Sequence, residues 1–158
     1  MFVDSLMSAL IAVFGTLAGV VVTNTAQNKR AQRAEEVALR ERLRQERITA
    51  YAEFARAVME FRSSQYRRWR KRQAEPDDEP YEAVRYESHQ RRAQAWHALY
   101  RVRLVAGEAR DLVELGTIAM DLATRIDEAA GVEELRSVGG RTRSAVEEFI
   151  DRASVQVS

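Results

Sequence analysis

The sequence predicts an all-α protein with a single N-terminal transmembrane helix, a long helical stalk and a small helical hairpin or bundle. Three observations predict this fold class. Ala, Glu, Arg and Leu dominate the chain, and all four favour helices. Only two prolines and seven glycines occur in 158 residues, and alternating β-branched runs are nearly absent. An uncharged N-terminal segment precedes long stretches without a helix breaker.

The N-terminal segment has the length and composition of a membrane span. No charged residue occurs between Asp4 and Lys29, and residues 6–22 are almost continuously apolar. A helix of about 20 to 24 residues is about 30–36 Å long, which matches a bilayer core of about 30 Å. A secretory signal peptide would begin with basic residues, and this chain begins with an acid and no Lys or Arg. The segment therefore favours a membrane anchor over a signal peptide or a buried core helix.

The residues around and inside the span predict its orientation and a contact face. Lys29, Arg30 and Arg33 follow the span, and Lys and Arg prefer the cytoplasmic side. We therefore expect a single-pass protein of the cell membrane with its N-terminus outside and its C-terminal domain in the cytoplasm. Gly15 and Gly19 form a G-x-x-x-G pair, which allows two helices to approach closely. The pair predicts self-association, and an incidental glycine pattern is the alternative.

The sequence divides into an anchor at residues 1–28, a charged helical stalk at 29–50 and a cytoplasmic helical bundle at 51–158. The stalk has few apolar residues and several opposite charges four residues apart, which is typical of an exposed helix. The bundle begins with apolar residues at 3-4-3 spacing, the pattern of a coiled coil or bundle helix. These seam residues are Tyr51, Phe54, Val58 and Phe61.

Three further helices are predicted beyond the prolines at 76 and 80, where the chain should reverse. The second helix covers residues 81–106 and returns antiparallel to the first, ending near Gly107. The third covers 109–130, with Gly131 at the position after its C-terminus, and the last covers 133–153. Their core residues are expected to be Trp96, Leu99, Tyr100 and Val102, then Leu112, Gly116, Ala119, Ala123 and Ile126, then Leu135, Val138, Thr142, Val146 and Phe149.

The residues that could carry chemistry do not form an active-site pattern. The chain has no cysteine, so disulfides and thiolate chemistry are excluded. His89 and His97 are eight residues apart, about 12 Å along one helix, which is too far to share a metal ion. No phosphate-binding loop or nucleophile motif occurs. We expect a non-enzymatic protein with no catalytic residues, no metal, no cofactor and no small-molecule substrate.

Residues 62–72 form a basic-aromatic cluster, and the charge layout around it is uneven. Residues 29–75 carry 14 Lys and Arg against 7 Glu, a net +7, whereas residues 108–158 carry 6 Arg against 11 acids, a net −5. Cations neutralise phosphates and aromatic rings stack on bases, so DNA binding is one interpretation. The charged and aromatic members of the basic-aromatic cluster are Arg62, Tyr66, Arg67, Arg68, Trp69, Arg70, Lys71 and Arg72.

Two other interpretations of the basic-aromatic cluster remain open. Cations complement the dipole at the C-terminus of a helix, and Tyr66 and Trp69 can extend the apolar seam, so the cluster can be structural. The other interpretation is that the cluster binds lipid headgroups. A straight stalk would place the cluster about 55 Å from the membrane, far beyond a Debye length of about 8 Å, so this interpretation requires a bent or tilted stalk.

Two segments together resemble a known family. The apolar sequence SALIAVFGTLAG at residues 8–19 is followed by the charged stretch RERLRQERITAYAEFARAVMEFRSSQYRRWRKR at residues 40–72. Their pattern and order resemble KilB-type proteins, or chromosomal relatives of these. That family comprises membrane-associated proteins of conjugative plasmids in filamentous actinobacteria, implicated in plasmid transfer and spread. The resemblance implies a helper of plasmid movement, with no active-site residues to carry over.

The anchor, the seam and the resemblance together favour a self-associating membrane protein that assists conjugative plasmid transfer or spread. Its expected partners are the membrane, further copies of itself and other plasmid transfer proteins. The alternative is a membrane-tethered, non-specific DNA-binding module that uses the basic-aromatic cluster.

Overall fold

The prediction of an all-α fold is confirmed. The structure is a computed structural model that describes the backbone of residues 2–74 and 80–158, and the side chains of residues 31–74 and 80–158. These residues form four helices, and no strand occurs among them. The helices are α1 (Phe2–Gln73), α2 (Tyr81–Val105), α3 (Arg110–Arg125) and α4 (Val132–Gln156).

The chain divides into two compact units, Met1–Arg42 and Leu43–Ser158. In the first unit, every described side chain, from residue 31 to residue 42, is exposed. The predicted anchor at residues 1–28 lies outside the described side chains. The second unit includes residues 43–50, which the sequence assigns to the stalk, because Ala50 is buried and the Arg47 Nε donates to the Val105 carbonyl at 3.0 Å.

The predicted seam of α1 lies in the hydrophobic core of the second unit. Its four residues, Tyr51, Phe54, Val58 and Phe61, are all buried. The Phe149 ring of α4 packs edge-on against two of them, with ring centroids 4.8 Å from Phe54 and 6.1 Å from Tyr51. Such edge-to-face pairs add about 0.5–1.5 kcal/mol to the stabilisation from burial alone. The 3-4-3 spacing therefore identifies the face of α1 that packs on α4.

Helices α1 and α2 form the predicted antiparallel hairpin. Helix α1 ends at Gln73, and α2 begins after Pro80, whose φ of −60° and ψ of 136° are extended; residues 75–79, where the break was predicted, lie outside the described residues. Ion pairs join the two helices in reversed order, so that later residues of α1 meet earlier residues of α2. These pairs are Arg67 with Glu87, Glu60 with Arg91, and Glu53 with Arg101.

Helix α2 differs from the prediction in which residues face the core. Leu99 and Val102 are buried as predicted, but Trp96 is only half-buried and Tyr100 is 55% exposed. Consecutive residues of a helix point about 100° apart, so Tyr100 cannot share the inward direction of both Leu99 and Val102. The predicted core position of Tyr100 is therefore wrong. Helix α2 ends as predicted near Gly107, which has a φ of +61°, the left-handed conformation that glycine adopts at helix ends.

The connection between α3 and α4 also differs from the prediction. Helix α3 ends at Arg125 and not near residue 130, and the amides of Ile126 and Glu128 bond three residues back in tight turns. Gly131 is the residue before α4, with an extended φ of −160°, and not the cap of α3. The helix stops early because the backbone carbonyls of Asp127 and Ala129 accept hydrogen bonds from side chains of α1.

Candidate functional site

The basic-aromatic cluster occupies the last turns of α1, where its side chains meet the end of α3, the α3–α4 connection and helix α4. Arg62 is half-buried, and its Nε donates to the Gly139 carbonyl at 3.0 Å. Its guanidinium carbon also lies 4.9 Å from the centre of the Tyr66 ring, a cation–π distance. Arg62 is therefore used to fix α1 against α4.

Asp127 is the residue that organises the arginines of the cluster. Its side chain is only 7% exposed, and its Oδ2 lies 3.1 Å from Arg68 Nε and 3.3 Å from Arg72 Nη1. Arg72 also donates to the backbone carbonyl of Asp127, and Arg68 Nε lies 3.2 Å from the Tyr81 hydroxyl. Removal of either arginine would leave the buried Asp127 carboxylate with less compensation, so these contacts hold the α3–α4 connection against α1.

The two aromatic residues of the cluster are part of a second, smaller core. The Trp69 Nε1 donates to the Ala129 carbonyl at 2.7 Å, and the Tyr66 hydroxyl donates to the Leu135 carbonyl at 3.2 Å. Trp69 is buried, with Ile126, Ala129, Leu135 and Val138 in the same cluster. In this arrangement the indole ring is covered by protein and has no free face on which a base could stack.

The remaining cations of the cluster have different surroundings. Arg67 is exposed and pairs with Glu87 of α2, and Lys71 is half-buried. Arg70 is exposed, and its side chain makes no hydrogen bond or ion pair with the residues that the structure describes. Of the predicted DNA-binding residues, Arg70 is therefore the one most available to a phosphate.

Next to the basic-aromatic cluster lies a polar network that the sequence did not predict. The Gln65 amide nitrogen donates to the Thr124 carbonyl at 3.0 Å, and its oxygen accepts from the Ser88 hydroxyl at 2.6 Å. Both Gln65 and Ser88 are buried, beside a cavity of about 260 Å³ that Asp127 and Arg92 also line. Because buried polar groups need partners, the network fixes the register of α1, α2 and α3. In the sequence, the network is indicated by polar residues at positions where the helix pattern calls for apolar ones.

The other predicted site residues lie elsewhere. Gly15, Gly19, Lys29 and Arg30 lie outside the described side chains, and Arg33 is exposed in the first unit. In the part of the chain with described side chains, no helix is long and apolar enough to cross a membrane. The predicted span at residues 6–22 lies outside that part.

The predicted absence of a metal site rests on the two histidines. His89 and His97 are both exposed on α2. Across residues 31–74 and 80–158, no group of three or more metal-binding side chains comes together.

Comparison with known proteins identifies a family. A family model described as KilB plasmid transfer protein matches residues 48–157, which is 110 of the 158 residues and nearly the whole second unit. No curated protein and no solved structure matches the chain. The match confirms the resemblance to KilB-type proteins. The chain therefore belongs to the KilB plasmid transfer protein family, which indicates a role in plasmid transfer.

Proposed function

We propose that this protein is a non-enzymatic, membrane-anchored helical component that assists conjugative plasmid transfer or spread through self-association and protein contacts. The family match over residues 48–157 carries the connection to plasmid transfer. The matched segment coincides with the bundle, so we assign the transfer role to the bundle and the location to the N-terminal segment.

The membrane anchor is supported by the sequence of residues 5–28, which contains no charged side chain. Lys29, Arg30 and Arg33 follow it directly and favour a cytoplasmic bundle. Gly15 and Gly19 supply a surface on which two such helices can pair. In this proposal, the first unit holds the protein at the cell membrane and the second meets its partners in the cytoplasm.

A structural role for the bundle is supported by how its polar side chains are used. Arg62, Arg68 and Arg72 contact α4 or the α3–α4 connection, and Gln65 bonds to both α2 and α3. These contacts stabilise the packing of helices. The proposal is that the bundle presents surfaces to other proteins and performs no chemistry.

Mating assays test the role in transfer. A donor that carries a transferable plasmid but lacks this protein should transfer the plasmid at a lower frequency, and the full chain supplied in trans should restore it. Equal transfer frequencies with and without the protein would contradict the proposal.

Fractionation tests the anchor separately. The full chain should sediment with membranes, and Val13→Arg with Phe14→Arg should move it toward the soluble fraction, because each Arg at the centre of a span is disfavoured by about 2.5–3.5 kcal/mol. Val13→Leu with Phe14→Leu is the matched control and should stay with membranes. A wild-type chain in the soluble fraction would refute the anchor.

The alternative function is membrane-tethered DNA binding. The net +7 of residues 29–75 and the exposed Arg70 support it. The case for DNA binding is weaker because four arginines of the cluster already contact acids or carbonyls, with which a phosphate would have to compete. These are Arg62, Arg67, Arg68 and Arg72. We therefore rank it second.

A further inference from the structure

Helix α2 carries an uncharged stripe along the side that faces away from the bundle. Its positions recur at alternating spacings of three and four residues, and every one of them is exposed. All seven charged residues of α2 lie outside the stripe. The α2 stripe consists of Ala83, Tyr86, Gln90, Ala93, His97, Tyr100 and Leu104.

The stripe is apolar beyond what an ordinary exposed helix face requires. Tyr86 is 66% exposed, Tyr100 55% and Leu104 85%. Single exposed apolar residues are normal on protein surfaces, but these three lie on one side of the helix, over about 27 Å from Tyr86 to Leu104. Gln90 and His97 lie between them, so the stripe is a mixed apolar and neutral polar surface. Exposed apolar residues gathered on one side of a helix mark interaction sites.

The spacing of the stripe is that of a coiled-coil seam. Alternation of three and four residues keeps one side of a helix in continuous contact with a second helix. The opposite side of α2 already packs into the bundle through residues that include Val84, Leu99 and Val102. Helix α2 therefore has one side that packs into the bundle and a second, exposed side with the spacing of a helix contact.

We propose that the α2 stripe is an interface at which two copies of this chain pair, helix α2 against helix α2. The inference rests on the self-association in the proposed function and assigns a surface to it. An uncharged stripe can face an identical stripe without like-charge repulsion, as a two-fold interface requires. The charged residues of α2 that flank it would form the polar rim.

The size of the stripe indicates how strong this pairing is. Two exposed tyrosines and a leucine from each copy, with the smaller residues between them, bury on the order of 1,000 Å² in total. That is the lower limit for a specific interface, so the α2 pair is weak in dilute solution. Attachment of both copies to one membrane raises their effective concentration and favours the pair.

Crosslinking of single cysteines tests the interface directly, because the natural chain has none. Ala93→Cys places a thiol near the middle of the stripe, where it lies close to its symmetry mate in either helix direction. Ser144→Cys, exposed on α4, is the matched control. In membranes that contain the full chain, a short bis-maleimide should give about tenfold more dimer for Ala93→Cys than for Ser144→Cys, because only the thiols in the stripe lie within its reach.

A charge within the stripe gives the second measurement. Leu104→Glu should lower the Ala93→Cys dimer yield severalfold, whereas Val155→Glu, an equally drastic change at an exposed residue of α4, should leave it unchanged. Circular dichroism of both variants checks that the helices are intact.

The outcomes separate this inference from the proposed self-association. Dimers that form with equal yield from Ala93→Cys and Ser144→Cys would overturn the α2 interface and leave self-association in place. A chain that is monomeric in membranes would overturn both. If Ala93→Cys crosslinks only to a different protein, the proposal that the α2 stripe binds a second copy of this chain is wrong.

Discussion

Replacement of Gly139 by alanine tests how α4 is fitted against α1. Gly139 is buried in the middle of α4, where the Tyr66 side chain crosses it. A Cβ built at Gly139 would lie 1.6 Å from the Tyr66 hydroxyl oxygen and 2.6 Å from the ring carbon that carries it. No bond rotation of a methyl group relieves such an overlap, so Tyr66 must move away.

The free energy of this change follows from three terms. Overpacking costs about 1–3 kcal/mol, and loss of the bond from Tyr66 to the Leu135 carbonyl costs about 1 kcal/mol. The higher helix propensity of alanine returns about 1 kcal/mol. We expect Gly139→Ala to lower the free energy of unfolding by about 1–3 kcal/mol.

The adjacent glycine provides a matched control. A Cβ at Gly140 would meet nothing within 4 Å, and this residue is exposed. Gly140→Ala should therefore raise the free energy of unfolding by about 0.5–1 kcal/mol through helix propensity alone. Two neighbouring substitutions of the same kind are expected to have opposite signs.

Urea unfolding of the full chain in mild detergent, followed by tryptophan fluorescence, measures both changes. Buried Trp69 reports on the same end of the bundle as Gly139. With a slope of about 1–3 kcal/mol per molar urea, Gly139→Ala should shift the midpoint by roughly 1 M. In a Tyr66→Ala background the same substitution should become neutral or stabilising. Equal effects of Gly139→Ala and Gly140→Ala, or no rescue by Tyr66→Ala, would refute the reasoning.

Three further predictions concern stability, pH and DNA. Asp127→Asn should lower the free energy of unfolding by about 1–3 kcal/mol, because the partly exposed Arg68 and Arg72 lose their hydrogen bonds to a shared carboxylate; an unchanged urea midpoint would contradict this. Burial raises the pKa of Tyr51 from 10.0, so its contribution to stability is complete below pH 10 and is lost as the pH rises further. Tyr51→Phe should remove that dependence and cause no loss at pH 7, since the buried hydroxyl has no hydrogen-bond partner among the described residues. If the cluster binds DNA, Arg70→Ala should weaken binding in a salt-series gel shift without changing stability; no binding at low salt would end the DNA hypothesis.

The structure also changes how the DNA hypothesis can be tested. Alanine substitution of the whole basic-aromatic cluster would remove the contacts of Arg68 and Arg72 with Asp127 and weaken the fold. Loss of DNA binding in such a variant would not distinguish a missing contact from an unfolded bundle. Arg70 avoids this because its side chain is exposed and makes no hydrogen bond or ion pair with the described residues.

Periodicity in the sequence predicts the α1 seam because this part of α1 has only one apolar face, and that face packs in the core. Tyr51, Phe54 and Phe61 recur at regular spacing with polar residues between them, and all are buried. In α2 the same reasoning fails for Tyr100, because this helix is apolar on two sides and spacing alone does not say which side meets the core.

Long-range pairs account for the remaining differences. Nothing in the local sequence marks Asp127 as different from the other acids of the C-terminal third, because its partner Arg68 lies 59 residues earlier in the chain. The early end of α3 has the same origin, since Ala129 and Asp127 bond to α1 instead of continuing the helix. Strong helix formers extend the predicted helix to residue 130, and tertiary contacts override them.

The central claim is that a helical bundle of the KilB family assists plasmid transfer from the membrane. Plasmid transfer frequency in matings tests it most directly, when the donor lacks this protein and is supplied in trans with either the wild-type chain or the Val13→Arg, Phe14→Arg variant at equal protein level. The account predicts that the wild-type chain restores transfer and that the variant, released from the membrane with its bundle intact, does not. Full restoration by a variant that fractionates as soluble would contradict it.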